Sequence, residues 1–134
     1  MALFGRKKYL VNKNKTIVDS FKHAYEGIIS SIIRERNMHI HVSFAVLVII
    51  FGALFQISYV EWLVCLMLIG LVISLELINT AIEAIVDMIT TEENQMAKIA
   101  KDTAAGAVLV SAIISAFIGL VIFLPKIFEF LMNL

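Results

Sequence analysis

The chain has 134 residues, 60% of them hydrophobic, and a mean hydropathy of +0.93, which excludes an ordinary soluble domain of this length. Its formal net charge is zero, yet the first 36 residues hold eight of the eleven Lys and Arg. A single cysteine, Cys65, lies in an apolar run and excludes an internal disulfide.

Residues 1–15 are basic and polar, with Arg6, Lys7, Lys8, Lys13 and Lys15 interleaved with Leu3, Phe4, Tyr9 and Leu10. Such a segment suits an anionic cytoplasmic membrane surface. No folded nucleic-acid-reading domain comes after it, so no nucleic-acid partner is expected. Nor is a cleavable signal expected, because the next segment is amphipathic rather than a short apolar run with a small-residue cleavage site. From Thr16 to about Arg36, Ile17, Val18, Phe21, Ala24, Tyr25, Ile28, Ile29, Ile32 and Ile33 recur at three- and four-residue spacing. The spacing predicts an amphipathic helix lying in the membrane interface. Arg34 to His41 is a dense polar junction.

A first spanning run is expected over 42–60, about 28 Å at 1.5 Å per residue. After it comes a turn without Lys or Arg, flanked by Tyr59 and Trp62 at the place of an aromatic belt. The second membrane helix is expected over 62–89. It is longer than the hydrocarbon core is thick, so its far end must project into water. Thr90 to Lys101 reads as a polar loop. The third run, 103–124, is expected to stop at Pro125. Ala107, Ser111, Ser115 and Gly119 repeat every fourth residue and allow close helix packing. The positive-inside rule places the N-terminus and the 90–102 loop in the cytoplasm. The fold class is thus an all-α membrane protein, an N-terminal amphipathic surface helix plus three transmembrane helices, in one domain over 1–134.

The second helix carries the chemistry. Glu76, Asn79, Glu83 and Asp87 fall at i, i+3, i+7 and i+11, one face of one helix. An ionised group near a bilayer centre costs roughly 2.5–3.5 kcal/mol on insertion scales. Intramembrane acids therefore need a partner, either a cation or Lys and Arg from neighbouring helices. Glu35 ends the surface helix on the same side of the membrane. Lys101 and Asp102 are expected at the start of the third helix, where free N–H groups favour an anion. Carboxylates with a lysine suggest Mg²⁺ together with phosphate. Phosphoryl transfer from cytoplasmic ATP to a membrane lipid alcohol uses all of these features. No Walker or protein-kinase motif is present. A non-enzymatic cation-conducting or assembly protein is the alternative of another class, but residues 62–73 offer it no ionisable group.

Glu76-Leu77-Ile78-Asn79-Thr80-Ala81-Ile82-Glu83-Ala84-Ile85-Val86-Asp87, with Lys101-Asp102-x-Ala104-Ala105-Gly106-Ala107-Val108 further along the chain, resembles the small bacterial diacylglycerol kinase/undecaprenol kinase family. Residues 20–28 and Glu35-Arg36-Asn37 look like its N-terminal motifs. The resemblance implies a homotrimer in the bacterial inner membrane, with active sites between subunits on the cytoplasmic side and ATP and Mg²⁺ as requirements. It implies Glu76 as catalytic acid/base, Glu35 and Glu83 as metal ligands, and Asn79, Lys101 and Asp102 as contacts to nucleotide or its phosphates. Asp87 is placed with the nucleotide-binding set, and His23 is a further candidate beside a buried structural reading. Glu35-Arg36-Asn37, His23-Ala24 and Gly106 look more like the Gram-positive, undecaprenol kinase branch. The diacylglycerol-specific branch carries an arginine where this chain has Thr16, so undecaprenol is expected ahead of diacylglycerol.

Overall fold

A computed structural model describes residues 16–133; the basic segment 1–15 lies outside the described residues. Four helices are arranged in chain order: α1 (Ile17–Arg34), α2 (Arg36–Leu54), α3 (Tyr59–Ile89) and α4 (Gln95–Met132). The last three are long and apolar enough to cross a membrane. The α3–α4 pair is the most extensively packed, α2 joins it along α3, and α1 touches both α2 and α3.

Local chemistry sets the boundaries. Thr16 and Asp19 form a capping box that starts α1: Asp19 N–H donates to Thr16 Oγ1, and Thr16 N–H donates to Asp19. The Thr16 bonds hold the Asp19 carboxyl below its ordinary value of 3.8. Glu35 is extended (φ −96°, ψ 119°) and separates α1 from α2 by a single residue. The helix of the first span therefore begins at Arg36 and takes in the polar junction, six residues ahead of the expected start at 42. It also ends six residues before the expected 60. Gln56 sits at φ 50°, with Ile57 N–H bonded to Gly52 O at 3.1 Å and Gln56 N–H to Ala53 O at 3.3 Å. This pair of bonds is the Schellman closure of a helix C-terminus, with glutamine in the left-handed position usually taken by glycine. Ser58 and Glu61 then make a second capping box, so α3 begins at Tyr59 rather than 62.

Two expectations for the last helix are corrected. Its start moves back to Gln95, because Asn94 Oδ1 accepts from Met96 N–H at 2.8 Å and Ala97 N–H at 3.1 Å. Its end moves past Pro125 to Met132. Proline deletes one backbone hydrogen bond, but contacts on both sides of it hold the helix together. Ile122 and Phe123 pack before it. After it, Lys126 Nζ lies 3.3 Å from Glu61 Oε2, and Phe130 packs edge-on against Phe55 at 6.0 Å between centroids. Ile57, Cys65 and Ile122 form the buried centre of this end, with Trp62 laid against Gly52. Cys65 is accordingly a buried apolar residue. On α4, Ser111 and Ser115 turn their hydroxyls onto their own helix, donating to Val108 O at 2.8 Å and Ser111 O at 2.7 Å. No polar handle then remains there to resist close packing.

Candidate active site

The end of the bundle opposite that core is built from the α1–α2 junction, the second half of α3 and the first turns of α4. The carboxylate face of α3 is graded along its length. Glu76 is 1% exposed and Asn79 4%, Glu83 is half-buried, and Asp87 is exposed. Burying polar groups on a helix flank needs neighbours, and the short Glu35 linker supplies them by folding α1 and α2 back onto α3. Met38, in the first turn of α2, is wholly buried.

Each polar group of this face is held from a different element. Asn79 Nδ2 donates to Glu83 Oε1 at 3.1 Å, one helical turn on. Thr80 Oγ1 donates to the Glu76 carbonyl at 3.0 Å, and buried Ser31 of α1 reaches Thr80 Oγ1 at 3.3 Å. Since the Thr80 proton is committed to Glu76, Ser31 is the donor. This relay fixes the turn that carries Glu76 against α1. From α2, His41 Nε2 lies 4.0 Å from Glu76 Oε2. Glu83 and Glu35 are the other charged groups whose fields reach Glu76. Lys101 of α4 pairs with Asp87 of α3, closing the bundle at its polar end. Two buried oxygens, Glu76 Oε2 and Asn79 Oδ1, have no hydrogen-bond partner among the described residues. An unpaired buried acceptor costs about 1–3 kcal/mol, so such atoms are expected to meet a ligand.

Beside this face an open groove of about 500 Å³ runs along the α3–α4 connection. Asp87, Thr90, Asn94, Lys98, Lys101 and Asp102 are among its lining residues. The sequence-predicted set therefore divides. Glu76, Asn79 and Glu83 share one face of α3 with Glu35 nearby, and Asp87, Lys101 and Asp102 line the adjoining groove. Lys101 and Asp102 stand two turns inside α4, not at its N-terminus, because Asn94 caps the helix seven residues before Lys101. At that position they present side-chain charge rather than free backbone N–H. His23 is not brought to the site: it is exposed on α1, with Nδ1 3.3 Å from Glu26 Oε2. That exposure also corrects the reading of His23 as a buried structural histidine. His41 and Ser31 were not singled out by sequence reasoning. For His41, the polar junction one residue before an apolar run was the available signal.

Three helices apolar enough to span a membrane, a buried carboxylate on one of them and a polar groove carrying lysine and acids at its end define an all-helical membrane protein with the charged side chains of that face and groove gathered at one end. The sequence model for prokaryotic diacylglycerol kinase matches residues 22–123. The chain is 49% identical over 116 residues to an undecaprenol kinase of Bacillus subtilis, covering 87% of this chain and 94% of that one. It is 38% identical over 109 residues to a diacylglycerol kinase of Synechocystis, covering 81% of this chain and 62% of that protein. The chain belongs to the prokaryotic diacylglycerol kinase family, and the family makes it a lipid kinase.

Proposed function

We propose that this single-domain protein transfers the γ-phosphoryl group of ATP to undecaprenol in the bacterial inner membrane, giving undecaprenyl phosphate. The observation that carries the reading is Glu76, a buried carboxylate whose Oε2 has no hydrogen-bond partner among the described residues, on the polar face of α3 that leads about 16 Å further along to the α3–α4 groove at Asp87. The similarity to the Bacillus undecaprenol kinase over nearly its whole length favours undecaprenol. Diacylglycerol is the second reading, supported by the Synechocystis relative.

In this reading α1 lies in the cytoplasmic interface. Its residues Ile17, Val18, Phe21 and Tyr25 are exposed and suit burial among acyl chains. The N-terminus and the α3–α4 connection face the cytoplasm, in keeping with the distribution of Lys and Arg. The nucleotide occupies the groove, with Lys101 on its phosphates and Asn79, Asp87 and Asp102 ordering the rest. Among the described residues no three His, Cys, Asp or Glu side chains converge as a self-contained metal site. The oxygen donors present suit a hard cation held by one or two carboxylates and completed by phosphate and water. Glu35 and Glu83 would hold Mg²⁺, which offsets charge on the β- and γ-phosphates when bound. Glu76 takes the proton of the lipid hydroxyl as its oxygen bonds phosphorus and ADP departs. Three copies assemble as a homotrimer with sites between subunits. The exposed flanks of the spans leave ample surface for that.

The experiment is transfer from labelled ATP with Mg²⁺ to undecaprenol and to diacylglycerol, side by side in the same mixed micelles. Undecaprenol is expected to be the better acceptor, with no transfer in EDTA. Preferential labelling of diacylglycerol would select the second reading, and labelling of neither by folded protein would sink both.

A further inference from the structure

The Arg34–His41 junction contains one residue that the reaction as described leaves unused. His41 stands on the second turn of α2 with its Nε2 4.0 Å from Glu76 Oε2, and its side chain is 18% exposed against 2% for Glu76. That oxygen has no other partner among the described residues. The neighbours of the Glu76 backbone are fixed by Thr80 and Ser31, neither of which titrates. The other charged groups reaching Glu76 are Glu83 on its own helix and Glu35 at the junction, both acids. On α4 the polar groups of this end are Lys101, engaged with Asp87, and Asp102. Asp87 itself lies eleven residues along α3 from Glu76, about 16 Å away.

A buried base faces a problem after each turnover. It has accepted the proton of the lipid hydroxyl, and it must lose that proton before the next cycle. Glu76 is almost sealed from water, so the proton needs a carrier that touches both the carboxyl and the solvent. We propose that His41 is that carrier: the neutral imidazole takes the proton from protonated Glu76 at Nε2 and releases it to water at the interface. The inference rests on the lipid-kinase reading with Glu76 as its base. Each step balances. The lipid O–H bond breaks as the O–P bond forms, the electron pair of the broken P–O bond leaves with ADP, and one proton passes from lipid to Glu76 to His41 to water. Closing 4.0 Å to a charge-assisted hydrogen bond of about 2.8 Å takes roughly an ångström of side-chain movement. His41 makes no hydrogen bond that such a movement would break among those of the described residues.

The test compares wild type, His41→Gln and His41→Ala in the undecaprenol transfer assay, over pH 5.5 to 9 and with or without added imidazole. Wild-type kcat is expected to show a limb that rises with pH. Both variants should lose that limb and fall by about 10²-fold or more in kcat, with little change in the KM for ATP. Imidazole should restore His41→Ala by several-fold and leave His41→Gln unmoved, a response that a merely structural histidine would not give. Size-exclusion profiles and helical content check that the variants fold. Unchanged kcat and pH profile in both variants, or loss of activity in His41→Ala without rescue, would overturn the role of His41 and leave the kinase reading standing. Absence of transfer by the wild type itself would overturn both.

Discussion

Replacing Glu76 by glutamine separates a chemical role from a structural one, because the two roles predict opposite signs. The side chain is 1% exposed, its Oε2 accepts no hydrogen bond among the described residues, and the imidazole Nε2 of His41 lies 4.0 Å away. Glutamine has the same shape and no charge. Nothing bonded is lost on the folded side, and a buried carboxyl oxygen left without a hydrogen-bond partner, at a cost of about 1–3 kcal/mol, is removed. The thermal midpoint in detergent should therefore hold or rise. Turnover should collapse. A positioned base contributes about 10²–10⁴-fold, which is roughly 2.7–5.4 kcal/mol of transition-state stabilisation at 1.36 kcal/mol per decade. The assay is initial-rate phosphate transfer to undecaprenol, paired with thermal unfolding of the same preparation. A variant that keeps more than a tenth of wild-type kcat would refute the assignment of Glu76 as base. A variant that unfolds or elutes as aggregate would show that the carboxylate holds the bundle together instead.

Lys101→Met removes a half-exposed ion pair with Asp87, which is worth no more than about 1 kcal/mol of stability. If the amine contacts phosphate, the loss of one charge-assisted bond of about 1.5–3 kcal/mol should lower kcat/KM for ATP by roughly 10- to 100-fold; a drop below threefold in steady-state kinetics would remove Lys101 from the site. Gly52→Ala would set a methyl 2.8 Å from Trp62 Cη2 and 2.9 Å from Cζ2, and this overpacking should cost about 1–3 kcal/mol in denaturant unfolding while leaving kcat unchanged. Asp19 has a depressed carboxyl in the capping box of α1. Its contribution is present above the ordinary value of 3.8 and fades as pH falls through the lower value of the folded state. Amide exchange in the first turn of α1 should thus accelerate only below pH 3.8, and should be fast at every pH in Thr16→Ala.

The sequence alone determined the helix content, the three apolar spans and the single face shared by Glu76, Asn79, Glu83 and Asp87. Those features arise from chain-local quantities: hydropathy summed over a run, and a rotation of 100° per residue that carries polar groups to one side. The composition of that face was also enough to suggest phosphoryl transfer, and its motif carried the family. Tertiary structure decided what lies across from the face. The capping bonds at Asn94 and the left-handed Gln56 shifted helix boundaries by several residues, because hydrogen bonds to orphan backbone groups outweigh the hydropathy gradient at a helix end. The path of α4 through Pro125 was set by Phe55 and Glu61, more than sixty residues away in the chain. The same holds for the burial of Glu76. Helical spacing puts it on a face, but the one-residue linker at Glu35 brings Ser31 against Thr80 and His41 against Glu76, on a face where Glu76 is 1% exposed. Periodicity reads the neighbours a residue has along its own helix; it carries no information about those that another helix delivers.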